Sequence, residues 1–571
     1  MIKLSPPFSR FFGSSISSVF LFALGLLPSQ AQTTYDWNVS SGDWYTDLDW
    51  LGGLAPISNG VDQEVLLTNG SSAIDSATTT LNLEWLGGAG SSLTIGAYNT
   101  LIFNQTIFTP QVIVPGINVT PSSSGLINNG TIQTASMGYV RGANMVTNNG
   151  TIEALSGGEL RFWDVHTLGN TDGLIAARSG GVIRFTGSFS LSGGSLESES
   201  GGLIYQDGEN PGQTSNFTGV AISNAGTFRT DQSTESEGAG STEVEVNLNS
   251  GTVFTNGVGA TVEVLNSGGG TTTNANPRNS LFNLNSGATF DNAGTLTIQN
   301  DASRSGNLTG QAVRFTVDAG ATAFINTGTI QVISNSTAIG ATAEFTSAQS
   351  ITNGGTVHVK GNSNNEFSSF SVTGSGNDYS QSGDGSQRTL LEQGGLLSVD
   401  DEVLIEDGTL GGVGTVVGNT TMSSGTSLIV GENLAGDTGA GILELDGDLT
   451  LADSSSLRFG LGIDTASSGQ LNLLSDSDLV LGVDLILTFD DISGGSWSDG
   501  TTYELISFGT GVYSGSLSDF SLELPTGWTG VLSDGSNSID LTISLIPEPS
   551  SFALLAAVIS VFCVVRRQVR S

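Results

Sequence analysis

Asn128-Asn129-Gly130-Thr131-Ile132 is repeated almost at once as Asn148-Asn149-Gly150-Thr151-Ile152. The phrase returns at 224–228 (Asn-Ala-Gly-Thr-Phe), 249–253 (Asn-Ser-Gly-Thr-Val) and 292–296 (Asn-Ala-Gly-Thr-Leu). It returns again at 326–330 (Asn-Thr-Gly-Thr-Ile) and 353–357 (Asn-Gly-Gly-Thr-Val). Asn and Gly tolerate positive φ and suit a tight corner. Thr and the Ile, Val, Leu or Phe after it are strand formers. A corner feeding a short strand, over and over, is the unit of a β-solenoid. Most spacings between successive glycines of the phrase approximate multiples of a coil of roughly 20–25 residues. The 34 residues from Gly294 to Gly328 do not, and point to an insertion.

Other corners surround these. Gly-Ala-Thr occurs at 259–261, 287–289, 320–322 and 340–342, with Phe290, Phe324 and Phe345 in the strands that follow three of them. Ser-Gly-Gly occurs at 156–158, 179–181, 192–194 and 200–202. The fold class is therefore all-β: a right-handed parallel β-solenoid whose coils run over 75–400. At ~4.8 Å per stacked strand, ~15 coils would make a rod of ~70 Å.

Composition supports order and export. The chain has 571 residues, of which 80 are Gly and 12 Pro, yet 37% are hydrophobic and fall in short apolar runs. Sixteen basic and 54 acidic residues give a formal charge of −38. Such a surface repels nucleic acid and anionic lipid. The only cysteine, Cys563, lies in the last apolar run, so no disulfide framework forms within the chain. Stability must come from stacked coils.

The ends read as processing signals. Lys3 and Arg10 precede an apolar stretch over 11–27, and Ser29-Gln30-Ala31 supplies small residues at a cleavage site. Residues 1–31 form a signal peptide for a Sec-type translocon, cut between Ala31 and Gln32. Removing both terminal signals takes away five basic residues and one acidic residue, leaving −42. Next stands an aromatic knot over 32–74 with Trp37, Trp44 and Trp50. The knot is expected to cap the first coil, with sugar stacking as its functional reading. Strands such as 476–481, 484–489, 502–506 and 538–543 point to a C-terminal β cap over 466–546, with Trp497 and Trp528 in its core. At the other end Pro547-Glu548-Pro549 precedes an apolar segment over 551–565 and then Arg566, Arg567 and Arg570. Fifteen helical residues span only ~22 Å, short for a bilayer of ~30 Å. The arginines keep that end cytoplasmic, so the body faces outward.

Three stretches resemble known families. Trp, Gly-Asp-Trp and Asp-Trp followed by Pro56 resemble the opening of many autotransporter-like and PEP-CTERM repeat proteins. Over 401–465, Gly408-Thr409-Leu410-Gly411-Gly412-Val413-Gly414-Thr415-Val416, Gly425-Thr426-Ser427-Leu428 and Gly447-Asp448-Leu449-Thr450-Leu451 resemble the autotransporter-associated β-strand repeat. Ile429-Val430-Gly431 stands where that family has Pro-Gly. The tail, 547–571, resembles the PEP-CTERM sorting signal in all three of its parts. That resemblance implies an exosortase-type enzyme that cuts near Pro547, Glu548 and Pro549, transient inner-membrane anchoring, and delivery to the surface of a Gram-negative bacterium that makes exopolysaccharide.

Catalytic patterns are sparse. Asn170-Thr171-Asp172-Gly173 resembles one motif of polygalacturonases, but their paired Asp, Gly-His-Gly and Arg-x-Lys do not follow, and Asp172 reads as a turn residue. Lyases of β-helical fold use a cation as base, and Lys360 with scattered arginines shows no cluster in sequence. His358 sits in a strand. No Gly-x-Ser-x-Gly elbow, phosphate loop or calcium loop is present; Asp446, Asp448, Asp476 and Asp478 read as solvated turns. Two histidines give no transition-metal set. The expectation is a structural surface or matrix protein or adhesin without a cofactor, against a polysaccharide-degrading β-helix enzyme or a carbohydrate-binding surface protein.

Overall fold

The computed structural model describes residues 33–546, apart from short stretches of which the longest are 68–77, 104–115, 233–241, 268–277 and 302–312, and residues 558–560 beyond them. Its strands join in one sheet that winds as a coil. Each turn contributes a strand to each of three faces in fixed order. One turn shows the plan: Met145–Asn148 lies on the first face, Thr151–Ala154 on the second and Glu159–Trp163 on the third. Each pairs in parallel with its counterpart one turn later: Thr167–Gly169, Leu174–Ala177 and Val182–Thr186. Pairing is parallel from Thr33–Asp36 at one end to Phe520–Glu523 at the other. Among the described residues, antiparallel ladders appear only near the C-terminal end, where Ser538–Leu545 pairs with both Thr502–Phe508 and Trp528–Asp534; Trp37 and Trp50 add a single antiparallel bridge.

The alternation of the sequence explains the core. In Thr131–Thr134 and Thr151–Ala154 every second residue is buried. The apolar residue after Asn-x-Gly-Thr points inward: Ile132, Ile152 and Phe228 are no more than 1% exposed. Each such side chain stabilises by about 1.5–3 kcal/mol. Higher up, Phe254, Phe282, Phe290, Phe315, Phe345 and Phe370 build a continuous aromatic pile, with neighbouring rings 4.7–6.4 Å apart and ending on Tyr379.

The phrase does mark corners, but for a different reason than positive φ. Gly150, Gly226, Gly294, Gly328 and Gly355 all avoid the left-handed region. A Cβ at Gly150 would instead collide with the Gly130 carbonyl oxygen, and one at Gly328 with that of Gly294. Stacked corners touch backbone to backbone, and only glycine fits. The Asn is not at the corner's tip either. It ends the preceding strand, buried, and its side-chain amide bonds to the Asn one turn on. Asn128 donates to Asn148 at 2.7 Å and Asn148 to Asn170 at 2.6 Å. Above them Asn224, Asn256, Asn292, Asn326 and Asn353 form a second ladder at 2.7–2.8 Å, which ends on the Tyr379 hydroxyl at 3.0 Å.

The two ladders stand on different edges. Asn128 and Asn148 precede the corner from the first face to the second, whereas Asn224 through Asn353 precede the corner from the second face to the third. The phrase at 249–253 uses a third geometry, with Gly251 at φ +78°. Glycine spacings therefore mix two phases of the coil. Coil length varies as well, from 17 residues between Glu402 and Asn419 to 36 between Val253 and Thr289. The second face consequently carries about thirteen rungs between Thr78–Leu81 and Ile405, fewer than the ~15 expected.

The extra length is not spread evenly. Between residues 125 and 490 the connections from first to second face and from second to third stay at about six residues or fewer. Connections from the third face back to the first reach 232–241, 267–277, 301–312 and 431–440. The coil thus has two tight edges and one open edge. Arg388–Ile405 and Thr409–Met422 are single strands that bend round all three faces.

Residues 466–523 do not form a separate cap. Gly469–Leu473, Leu479–Leu481 and Leu485–Asp491 continue the three parallel faces, because their alternating Leu and Ile side chains fill the same core. Trp497, 7% exposed, packs edge-on against the partly buried Trp528 at 5.4 Å. The corner aspartates stitch rungs together: Asp448 accepts from the Asp478 amide at 2.8 Å and Asp478 from the Val512 amide at 3.0 Å. Among the described residues no helix is long and apolar enough to cross a membrane. The expected tail helix and Pro547, Glu548, Pro549, Arg566 and Arg567 lie outside the described residues, as do Ser29, Ala31 and Gln32; only 558–560 of the apolar segment are described, and they are helical.

Candidate functional site

Trp37, Trp44 and Trp50 offer no platform for a sugar. They are 2%, 0% and 1% exposed, and Trp50 packs edge-on against the other two at 5.0 and 5.3 Å. The Trp50 indole donates to the Trp44 carbonyl at 2.8 Å. Aromatic rings of this size bury one another wherever the chain permits. The knot closes over the first coil, where Thr33–Asp36 pairs with Gln63–Leu67.

The outward surface of the third face gathers what the sequence scatters. Its lower coils place Tyr139, Arg161, Arg184, Tyr205, Arg229 and Glu263 in one vertical line, one per turn. Strand alternation points these side chains away from the core, and they remain half-buried. Beside them run Arg141 and Trp163. Arg141 lies over the Trp163 ring at 4.6 Å and Arg184 over Tyr205 at 5.2 Å. Arg161 holds Glu159 at 3.0 Å, Arg184 holds Asp207, and Arg229 holds Glu263 at 2.5 Å. Asp207 is fully buried. Asp231 is buried too, and burial pushes its carboxyl up although the Ser267 hydroxyl donates to it at 2.7 Å.

Higher on the same face is a second group. His358 meets Glu392 at 3.2 Å, and Lys360 reaches the same carboxylate at 3.6 Å. Arg388 pairs with Glu432 at 2.9 Å. The open-edge segment 431–440 folds back across them: Arg388 donates to the carbonyls of Asn433 and Leu434, and the Leu434 amide donates to Glu392 at 3.0 Å. Asn433 holds the segment in a turn by accepting from the amides of Ala435 and Asp437 at 2.9 and 3.1 Å. Burial pushes the His358 imidazolium down, with Lys360 and Arg388 adding to it and Glu392 opposing. Burial pushes Glu432 up against the pull of Arg388. Lys360 thus belongs to a cluster after all; its carboxylate partner Glu392 stands 32 residues on, and the register is what brings the two together.

The remaining sequence candidates stay apart. Asp172 lies in an exposed turn and His166 is exposed below it. Asn170, from the same motif, is wholly buried and closes the first Asn ladder by donating to the carbonyls of Gly173 and Ser195. Among the described residues no group of three or more His, Cys, Asp or Glu could hold a metal ion. No family model matches the chain, and no curated protein matches it significantly.

Proposed function

We propose that the chain is an exported cell-surface or matrix protein, a right-handed solenoid rod closed by a Trp-rich first coil and a C-terminal hairpin. One observation carries this reading: the parallel stack runs unbroken from Thr33–Asp36 to Phe520–Glu523, so nearly the whole mature chain is spent on building a long, acidic rod. Right-handed winding follows from the strong preference of parallel crossover connections. Such a rod is suited to displaying surface, as an adhesin or spacer associated with exopolysaccharide. Its terminal signals supply the route: a Sec translocon, then an exosortase-type enzyme acting at Pro547-Glu548-Pro549.

A second reading, a polysaccharide-degrading enzyme, draws on the His358, Glu392, Arg388 and Glu432 group, where His358 meets Glu392 and Arg388 meets Glu432, and where burial lowers the proton affinity of His358 and raises that of Glu432. The segment 431–440 lies over that group, which favours a structural role for it. The route is tested by Glu548→Ala. Uncut precursor should accumulate in the inner membrane; normal-mass protein at the cell surface would refute the sorting role. Incubating the mature body with a polysaccharide panel separates the two readings, since only an enzyme generates new reducing or unsaturated ends.

A further inference from the structure

We infer that the Arg–aromatic strip on the lower third face binds a chain of neutral pyranose sugars laid along the rod axis. The inference rests on the surface-protein reading and names the site and ligand class for it. Four features point the same way. The strip is one residue wide per turn and repeats at the rung height of ~4.8 Å, about the length of one pyranose unit. Aromatic and charged groups interleave along it, in the order Tyr139, Arg161 beside Trp163, Arg184, Tyr205, Arg229. Trp163 and Tyr205 each carry a guanidinium over the ring, from Arg141 and Arg184, so the strip offers aromatic carbon beside N–H donors, a pairing that suits the mixed C–H and O–H surface of a sugar. Paired Arg and carboxylate side chains put donors next to acceptors, which is what vicinal hydroxyls require.

Charge selects within the class. Three of the four arginines already hold a carboxylate, namely Arg161 with Glu159, Arg184 with Asp207 and Arg229 with Glu263. The strip therefore has hydrogen-bonding capacity with most of its positive charge already matched by carboxylates, on a chain of formal charge −38. Uronate polymers and nucleic acid would gain no counter-charge there. The open-edge connections 142–144 and 187–188 beside the lower turns of the strip are short, whereas 232–241, which follows Arg229, is long.

The test is affinity electrophoresis of the mature body, residues 32–546, in native gels containing mixed-linkage β-glucan, hydroxyethylcellulose or polygalacturonate. The wild type should be retarded by a neutral polymer and not by polygalacturonate. Trp163→Ala combined with Tyr205→Ala should weaken retardation at least tenfold while circular dichroism stays unchanged. As a check that needs no truncation, Trp163→Phe should reduce the polymer-induced change in tryptophan fluorescence, since Trp37, Trp44, Trp50 and Trp497 are buried and Trp528 packs on Trp497, far from the strip. Retardation by polygalacturonate alone, no retardation by any polymer, or undiminished binding by the double variant would each overturn the inference. None of these outcomes touches the export reading, which is decided by where Glu548→Ala protein accumulates.

Discussion

Two edges of the rod keep their connections at about six residues or fewer over hundreds of residues, while the third changes length with almost every turn. At the tight edges the connections are short, glycine backbones touch, and buried asparagines hand hydrogen bonds from coil to coil. At the open edge the same stretch of rod carries connections of ten residues and more at 232–241, 267–277, 301–312 and 431–440. The difference shows how a solenoid tolerates variation. Register is set wherever a coil must stack without room, and loop length is free where nothing stacks. A flexible loop costs only ~0.6 kcal/mol for each doubling of its length, far less than a misplaced core residue. The third face borders the open edge, and both side-chain groups of interest lie on it.

If the tight edges are as described, Gly328→Val should produce the largest loss. Its side chain would enter the backbone of residues 293–294, and overpacking of this kind costs ~3 kcal/mol. A urea midpoint unchanged from wild type would break the contrast between edges. Next comes Asn292→Ala, in the middle of the upper ladder. It would leave the Asn256 amide with only its Thr295 acceptor and the Asn326 and Thr329 acceptors short of a donor. Leaving such buried groups unpaired costs ~2 kcal/mol, and the same denaturation experiment reads it.

The open edge supplies the smaller effects. His358 lies under its segment 431–440, with its affinity for a proton lowered from the ordinary 6.5, chiefly by burial. The folded state therefore binds fewer protons than the unfolded one below that value. Stability from this residue is complete above pH ~6.5 and is lost as the pH falls through it. The groups that face it are Glu392, Lys360 and Arg388. His358→Gln should flatten that part of the pH–stability curve, measured as melting temperature between pH 5 and 8; an unaltered slope would mean the imidazole is solvated. The smallest effect should come from lengthening the open edge. Ten Gly-Ser residues inserted between residues 305 and 306 should cost ~0.6 kcal/mol or less, because they nearly double that connection.

Much of the architecture was legible. Apolar alternation located strands in the sequence, and Asn-x-Gly-Thr located corners. The inward Asn was legible too, and was missed. It stands two residues after an inward apolar residue, as in Val146 and Asn148 or Phe290 and Asn292, so strand alternation puts both on the core side. The move of the phrase from one edge to another was not legible, because each edge asks the same of its corner: close backbone contact and a strand start. Nor was the strip. Tyr139, Arg161, Arg184, Tyr205, Arg229 and Glu263 align only once coils of unequal length are in register. The cluster round Lys360 was hidden by the same irregularity. The C-terminal strands point to a cap in the sequence because the chain changes character after 465, yet their Leu-rich alternation continues the stack.

Amide hydrogen exchange of the mature body tests the central claim of coil-to-coil locking at the tight edges most directly. Corner amides are ordinarily solvated, but Asn149 donates to the Asn128 carbonyl at 2.7 Å, Ala225 to Ser198 at 2.7 Å, Ala293 to Asn256 at 2.8 Å and Thr327 to Asn292 at 2.9 Å. These four amides should exchange as slowly as those of the strands beside them, Ile152, Phe228, Leu296 and Ile330. Exchange at the rate of an open turn, with the strands still protected, would contradict it.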